Sequence, residues 1–252
     1  MAKIGDITYL NNEYPDVPSE KEYKEVEKLI EFAEAYSILA QKTTYIFDYY
    51  KRSFLYVSDN FLDLMEMGGN DIESNSTEFC PNSMSNDDAD MLVTHSNEIF
   101  KFMKRLPETE RRNYTFSFPL IFNGDRKGVK RYFSVRTKML RFRPNGDMWL
   151  TLYVVSLPTK NDAHNLVAFD NKGNRRWIFN GTNWDRQDLP KLTDNERQML
   201  MYSAMGYSAL EISEKIARGI DTVKSYRRSI FKKLEVDNIT EAVNYALANH
   251  LI

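Results

Sequence analysis

Thr222-Val-Lys-Ser-Tyr-Arg-Arg-Ser-Ile-Phe-Lys-Lys-Leu234 carries five cations and no acid, and the reading of the whole chain starts there. At helical period Val223, Tyr226, Ile230 and Leu234 gather on one side, while Lys224, Ser225, Arg228 and Lys232 gather on the other. The first side reads as core and the second as a polar, basic face. A helix of this kind suits the major groove of duplex DNA, which admits one helix and is bordered by phosphates. Taken alone, the same pattern reads equally well as a solvated charged face, the commoner fate of Lys and Arg on helices. The neighbouring residues decide between the two.

Helix-start signals of one type surround the basic stretch. Thr193 precedes Glu196, Ser208 precedes Glu211 and Asn238 precedes Glu241, each placing a capping oxygen three residues before a carboxylate. A further helix is expected to begin near Asp221 or Thr222. Gly206 and Gly219 follow the first two helices, where a left-handed residue ends a helix at little cost. Four helices joined by short turns within residues 190–252 make an all-α helix-turn-helix arrangement extended by a final helix.

Leu192-Thr-Asp-Asn-Glu196, Gly206, Glu211-Ile-Ser213, Thr222-Val-Lys224, Ile230, Lys233-Leu234, Val236 and Thr240-Glu-Ala242 stand in a family's order and spacing. From Leu192 to Leu251 the chain resembles the LuxR-type helix-turn-helix. The resemblance implies a supporting helix over Ser208 to Arg218, a recognition helix over Thr222 to Leu234, and an outer helix over Thr240 to Asn249 used for dimer contact. It implies base-facing positions at Lys224, Ser225 and Arg228 and phosphate contacts from Thr222, Arg227 and Lys232. Val223 and Tyr226 complete the expected DNA-binding set. Two positions depart from the family: Gly219 stands where Ser is usual, with Asp221 able to cap instead, and Tyr226 stands where His is usual. Double-stranded DNA is the expected partner, bound by a homodimer.

Upstream, residues 1–42 hold a short lead with Pro15 and Pro18 and an amphipathic helix from Glu20 to Gln41 behind the capping pair Ser19 and Glu22. Val26, Leu29, Ile30, Ala33, Tyr36 and Leu39 recur at three- and four-residue steps. That stripe packs on its own domain or on its twin in a dimer, and the sequence leaves both open.

Residues 43–158 change period. Tyr45 to Tyr50 and Phe54 to Ser58 read as a hairpin across Lys51-Arg-Ser53, and Asn60 to Met67 as a small helix ending at Gly68-Gly69. Asp87 to Leu106 reads as a longer helix with acids at its start and Lys104 and Arg105 at its end, as the helix dipole favours. Leu92, Ile99, Phe102, Met103 and Leu106 supply its apolar face. Tyr114 to Phe122, Phe133 to Met139 and Trp149 to Val155 then alternate as three strands, with turns at Asn123-Gly124 and Pro144-Asn-Gly146. The result is an α+β unit, an antiparallel sheet covered on one face by helices. With Leu55-Tyr-Val-Ser-Asp-Asn-Phe61 entering a small helix, this order resembles a PAS sensory domain. That resemblance implies a fold able to enclose a small-molecule ligand or to present a sheet face to a protein. Residues 159–189 form either a hairpin extending the sheet or a connector, with the last domain beginning at residue 190.

A net charge of -2 would argue against nucleic acid if it were evenly spread, but a local patch sets local affinity. The single cysteine, Cys80, excludes an intrachain disulfide and a Cys-rich zinc site and points to a reduced, cytoplasmic setting. There is no apolar signal core and no uncharged run long enough for a bilayer, so no membrane role is expected. His95, His164 and His250 lack metal-ligand spacing. His95 lies on the long helix where haem-binding PAS domains place a ligand, but a surface or packed histidine on that helix's polar side is the plainer reading. Cys80 lacks the Asn-Cys-Arg context of a flavin adduct, and Asp87, Asp88 and Asp90 start a helix rather than end a strand. No phosphate-cradling loop, carboxylate pair or nucleophile with a base is readable, so neither enzyme activity nor a cofactor is expected. Two other readings stay open: a docking module whose basic helix binds an acidic partner, and a haem- or flavin-based sensor.

Overall fold

The computed structural model describes residues 16–61, 84–123, 130–158, 165–172, 175–249 and 251–252. They divide into two compact units, one reaching Pro158 and resuming through Arg186, the other running from Gln187 to Ile252. Cys80, His164, His250, the turns at Gly68-Gly69 and Gly124, and most of the expected small helix lie outside the described residues.

The first unit is built on one eight-stranded antiparallel sheet. Its strands are β1 (Thr43–Asp48), β2 (Ser53–Val57), β3 (Tyr114–Asn123), β4 (Lys130–Phe142), β5 (Met148–Ser156), β6 (Leu166–Asp170), β7 (Arg175–Phe179) and β8 (Trp184–Asp188). They are ordered β2-β1-β5-β4-β3-β6-β7-β8. The paired first strands and the β3-β4-β5 meander are the arrangement the PAS resemblance implies. The hairpin read in residues 166–179 joins the sheet, with β6 pairing along β3.

Strand alternation sends neighbouring residues to opposite faces, and both faces are covered. Tyr45 and Phe47 turn to a core shared with helix α2 (Asn86–Arg105), whereas Ile46 between them turns to a core shared with α1 (Glu20–Ala40). The expectation of helices on one face only is therefore corrected. Half of β1 is polar, and Thr43, Thr44 and Asp48 are buried all the same, with Asp48 bonded to the Tyr23 hydroxyl and to the turn amides of Tyr50 and Lys51.

Ser19 caps α1, with Glu22 closing the reciprocal bond of a capping box. Val26 and Ala33 bury against Ile46, Trp149 and Leu150. Helix α2 is capped by Ser85 and lays Val93, Ile99, Phe102 and Met103 on the other face. Phe102 touches Tyr114, Phe116, Trp177 and Trp184 edge-on or tilted. Burying such a side chain contributes about 2–3 kcal/mol. A single turn, α3 (Glu108–Arg111), precedes β3.

The second unit is four helices: α4 (Asp194–Ala204), α5 (Ala209–Lys215), α6 (Ile220–Leu234) and α7 (Ile239–Ala248). Their shared core is Leu189, Met199, Leu200, Ile212, Val223, Ile230, Leu234, Ala242, Tyr245, Ala246 and Leu251. Thr193 and Ser208 form full capping boxes with Glu196 and Glu211, and Asn238 caps α7. Gly206 has φ 88°, the left-handed conformation that ends α4 and favours glycine. Gly219 does not play that part: its φ is -63°, it is the N-cap of α6, and Ala217 is the left-handed residue at φ 51°. Asp221 lies inside the helix, so the start of α6 has no side-chain cap.

Candidate nucleic-acid interface

Helix α6 is held by one side and presents the other. Val223, Ile230 and Leu234 are buried in the four-helix core, with Tyr226 and Phe231 packed beside them. Lys224, Ser225, Arg228 and Lys232 are exposed and fall on a face about 100° wide. Lys224 meets Asp221 at 3.7 Å, with both side chains largely in solvent. A contact so long and wet contributes little and leaves the lysine available. Thr222 and Arg227 are half-buried, the guanidinium lying 5.2 Å over the Phe231 ring.

Two residues of the expected DNA-binding set belong to or pack against the four-helix core. Val223 is 0% exposed, so its side chain belongs to the core and is withdrawn from the set. Its register explains this: it lies seven residues before Ile230 on the same helical stripe. Tyr226 is half-buried and packed against that core.

What fixes the face is a residue the sequence marks only as a cap. Glu196 Oε2 accepts from the Thr193 backbone N–H at 2.7 Å and from Lys233 Nζ at 2.7 Å, and Oε1 accepts from Ser229 Oγ at 2.6 Å. One carboxylate therefore closes the cap of α4 and clamps α6 through two consecutive turns. Burial works against its charge, but the bonds from Lys233, Ser229 and Thr193 outweigh that and hold its pKa down to about 2. Supporting helix α5 is bonded locally, with Lys215 Nζ lying 4.3 Å over the Tyr207 ring.

In the first unit, His95 is not on the polar side of its helix. It is 7% exposed and packs edge-on to Phe118, because it lies four residues before Ile99 on the buried stripe. Burial pushes its pKa down to about 4, so the ring is neutral near pH 7. Among the described residues no group of three or more His, Cys, Asp or Glu is placed to hold a metal ion. Among them too, no helix is long and apolar enough to cross a membrane.

Four short helices, with the third seated by an apolar stripe and turning a basic face outward, form a helix-turn-helix arrangement. Residues 190–246 match the model of the family described as bacterial regulatory proteins, luxR family, and the C-terminal unit is a luxR-family domain. Over 61 residues, 24% of its length, the chain is 43% identical to the response regulator protein VraR of Staphylococcus aureus (strain NCTC 8325 / PS 47). The protein of the same name from Staphylococcus epidermidis matches to the same extent. The match spans 29% of each relative's length. Solved structures that overlap the chain include the Vibrio cholerae VqmA dimer at 13% identity and a TM-score of 0.32, covering 88% of this chain and 86% of that one. A phage VqmA–DPO complex overlaps at 15% identity and a TM-score of 0.34, covering 91% and 89% of the two chains. SdiA in complex with octanoyl-rac-glycerol overlaps at 13% identity and a TM-score of 0.26, covering 97% and 92%. Overlaps this loose carry no residue roles across.

Proposed function

We propose that the protein is a sequence-specific, DNA-binding transcriptional regulator, acting as a cytoplasmic homodimer whose PAS-like unit responds to a small ligand or a protein partner. The observation that carries this reading is the free face of α6: Lys224, Ser225 and Arg228 stand together in solvent while Val223, Ile230 and Leu234 anchor the helix from behind. Arg228 and Lys224 have the chemistry to donate to guanine O6 and N7 in the major groove, and Ser225 can meet either a donor or an acceptor. Thr222 and Arg227 flank that face, Lys232 continues it a turn further on, and all three serve the phosphates, which position the helix without reading sequence. A two-fold dimer would read two half-sites one helical turn apart or a multiple of it.

Selection of bound duplexes from a random pool by the intact chain, at one fixed salt concentration, tests this. The expected product is a motif with inverted half-sites, bound on the order of 1,000-fold or more above random DNA. Equal affinity for all duplexes would leave only the electrostatic attraction any basic patch has, and would favour an acidic protein partner instead.

Support for ligand sensing comes from buried polar atoms on the α2-facing side of the sheet. Thr137 stands opposite Phe116 and Tyr153, and Thr151 opposite Phe47 and Met139, so both point to that aromatic core. Thr137 Oγ1, Thr151 Oγ1 and His95 Nδ1 are buried without a hydrogen-bond partner. Beside them the Tyr49 and Tyr153 hydroxyls bond to each other. An unsatisfied buried hydroxyl costs about 1–3 kcal/mol, and an uncharged ligand with hydrogen-bonding atoms would recover that. Thr137→Val and Thr151→Val should therefore each raise the melting temperature of the ligand-free protein, by an amount corresponding to about 1 kcal/mol. A fall in melting temperature in both would show that the hydroxyls serve the fold itself.

A further inference from the structure

Asp221 is the single acid of α6, and it stands in the middle of the helix's outward face. At about 100° per residue it falls between Arg228 and Ser225, with Lys224 just beyond Arg228 and the buried Ile230 diametrically opposite. Its side chain is 93% exposed and lies 3.7 Å from Lys224 Nζ. In α4 and α5 the first-turn acids Glu196 and Glu211 close capping boxes, whereas no side-chain hydrogen bond caps the start of α6. The helix dipole favours an acid in a first turn, but it does so on any face. The position of this carboxylate amid the basic face is what the dipole leaves unexplained.

We propose that Asp221 is a specificity residue of the α6 face, accepting a hydrogen bond from the exocyclic amine of a cytosine next to the guanine that Lys224 meets. This rests on the DNA-binding reading above and names part of the sequence recognised. Three arguments select the role. The first is placement: a recognition helix reaches base edges through its N-terminal residues, and Asp221 precedes Lys224, Ser225 and Arg228 on their own stripe. A helix that brings those three to the bases brings Asp221 with them. The second is chemistry. An ionised carboxylate is an acceptor only, and of the major-groove edges guanine presents two acceptors and thymine one, while cytosine N4 is a donor. Adenine N6 also donates, but its neighbour N7 is an acceptor that opposes the second carboxylate oxygen. At a wrong site the carboxylate meets acceptors and flanking phosphates, so it penalises mismatches as well as rewarding the match. The third is spacing. Side chains three residues apart on a helix are about 5–6 Å apart, and successive bases on a strand about 3.4 Å apart, so Asp221 and Lys224 reach neighbouring base pairs.

The test is selection from a random duplex pool by the full chain at one salt concentration, for wild type, Asp221→Ala and Asp221→Asn. Melting temperatures should be close to wild type, because the side chain is almost wholly in solvent. In the wild-type motif one position of each half-site should favour cytosine on the order of 10-fold. Asp221→Ala should level that position, leave the others as they are, and raise affinity for random duplexes by a few fold, since a charge that the phosphates repel is gone. Asp221→Asn should shift the same position towards adenine, whose N6 and N7 match a side-chain amide. A wild-type motif retained at every position in both variants overturns the proposal and leaves the DNA-binding reading standing. So does a variant that melts lower and weakens on all duplexes alike, which is the behaviour of a carboxylate serving only the helix start. A wild-type chain that selects no motif overturns the DNA-binding reading, and this inference with it.

Discussion

Replacing Glu196 with alanine lowers the unfolding free energy of the C-terminal unit by about 2–4 kcal/mol, the loss of a partly screened ion pair together with two hydrogen bonds to a buried carboxylate. For a unit of this size that is a large part of total stability. The cost divides unevenly. The Lys233 side chain is 34% exposed, so water screens part of the ion pair and its own share is ~1 kcal/mol. The rest comes from the bonds of Thr193 and Ser229 to a carboxylate whose side chain is 4% exposed. Glu196→Gln keeps the shape and loses the charge, so it should fall between wild type and alanine. Chemical denaturation followed in the C-terminal unit gives the ranking, and an alanine variant as stable as wild type would contradict the clamp.

The same group sets an acid limit. Its folded-state pKa, about 2, lies below the ordinary value of 4.5. Unfolded chains therefore bind the proton first as pH falls, and the stabilisation present above about pH 4.5 is lost between there and pH 2. His95 gives the first unit an earlier limit. Its folded-state pKa is depressed from 6.5 to about 4, so the unfolded state takes up its proton from pH 6.5 downward and stability declines across that interval. An acid titration should disturb the first unit at a higher pH than the second.

Removing the cations proposed to read bases is the second large effect. Lys224→Ala and Arg228→Ala should each cost about 1–3 kcal/mol on the selected motif while changing affinity for random DNA far less. Lys232→Ala should weaken all duplexes alike and reduce the salt dependence, as a phosphate contact does. None of the three side chains lies in the core, so folding is not at stake.

Much of this fold is legible because its signals are local. The pairs Ser19 and Glu22, Thr193 and Glu196, and Ser208 and Glu211 declare helix starts from three residues of spacing, and all three form the capping boxes that spacing predicts. The alternation of Phe116, Phe118 and Leu120 is equally local, and those residues form the sheet core. What was hidden depends on distant partners. Glu196 reads as a cap, yet Ser229 and Lys233 bond to it across 33 and 37 residues, separations at which no pattern in the chain announces a contact. The left-handed turn at Ala217, with Gly219 left to cap α6, escaped for the opposite reason, since glycine fits either role. His95 reads as polar-side from sequence because a single polar residue on an apolar stripe looks like the stripe's edge, yet it is buried. In the candidate site the exposed cations were readable from period alone, whereas the burial of Val223 was readable only by preferring its core phase to the family's binding set.

The most direct measurement is the ratio of affinities for the selected motif and for a scrambled duplex, by fluorescence anisotropy at one salt concentration. It compares the wild-type chain with Lys224→Ala/Arg228→Ala. The expected ratio is on the order of 1,000 or more for the wild type, collapsing by at least 10-fold in the double variant while binding to the scrambled duplex changes little. A ratio near one for the wild type, or an unchanged ratio in the variant, would contradict the assignment of the α6 face as the surface that reads DNA.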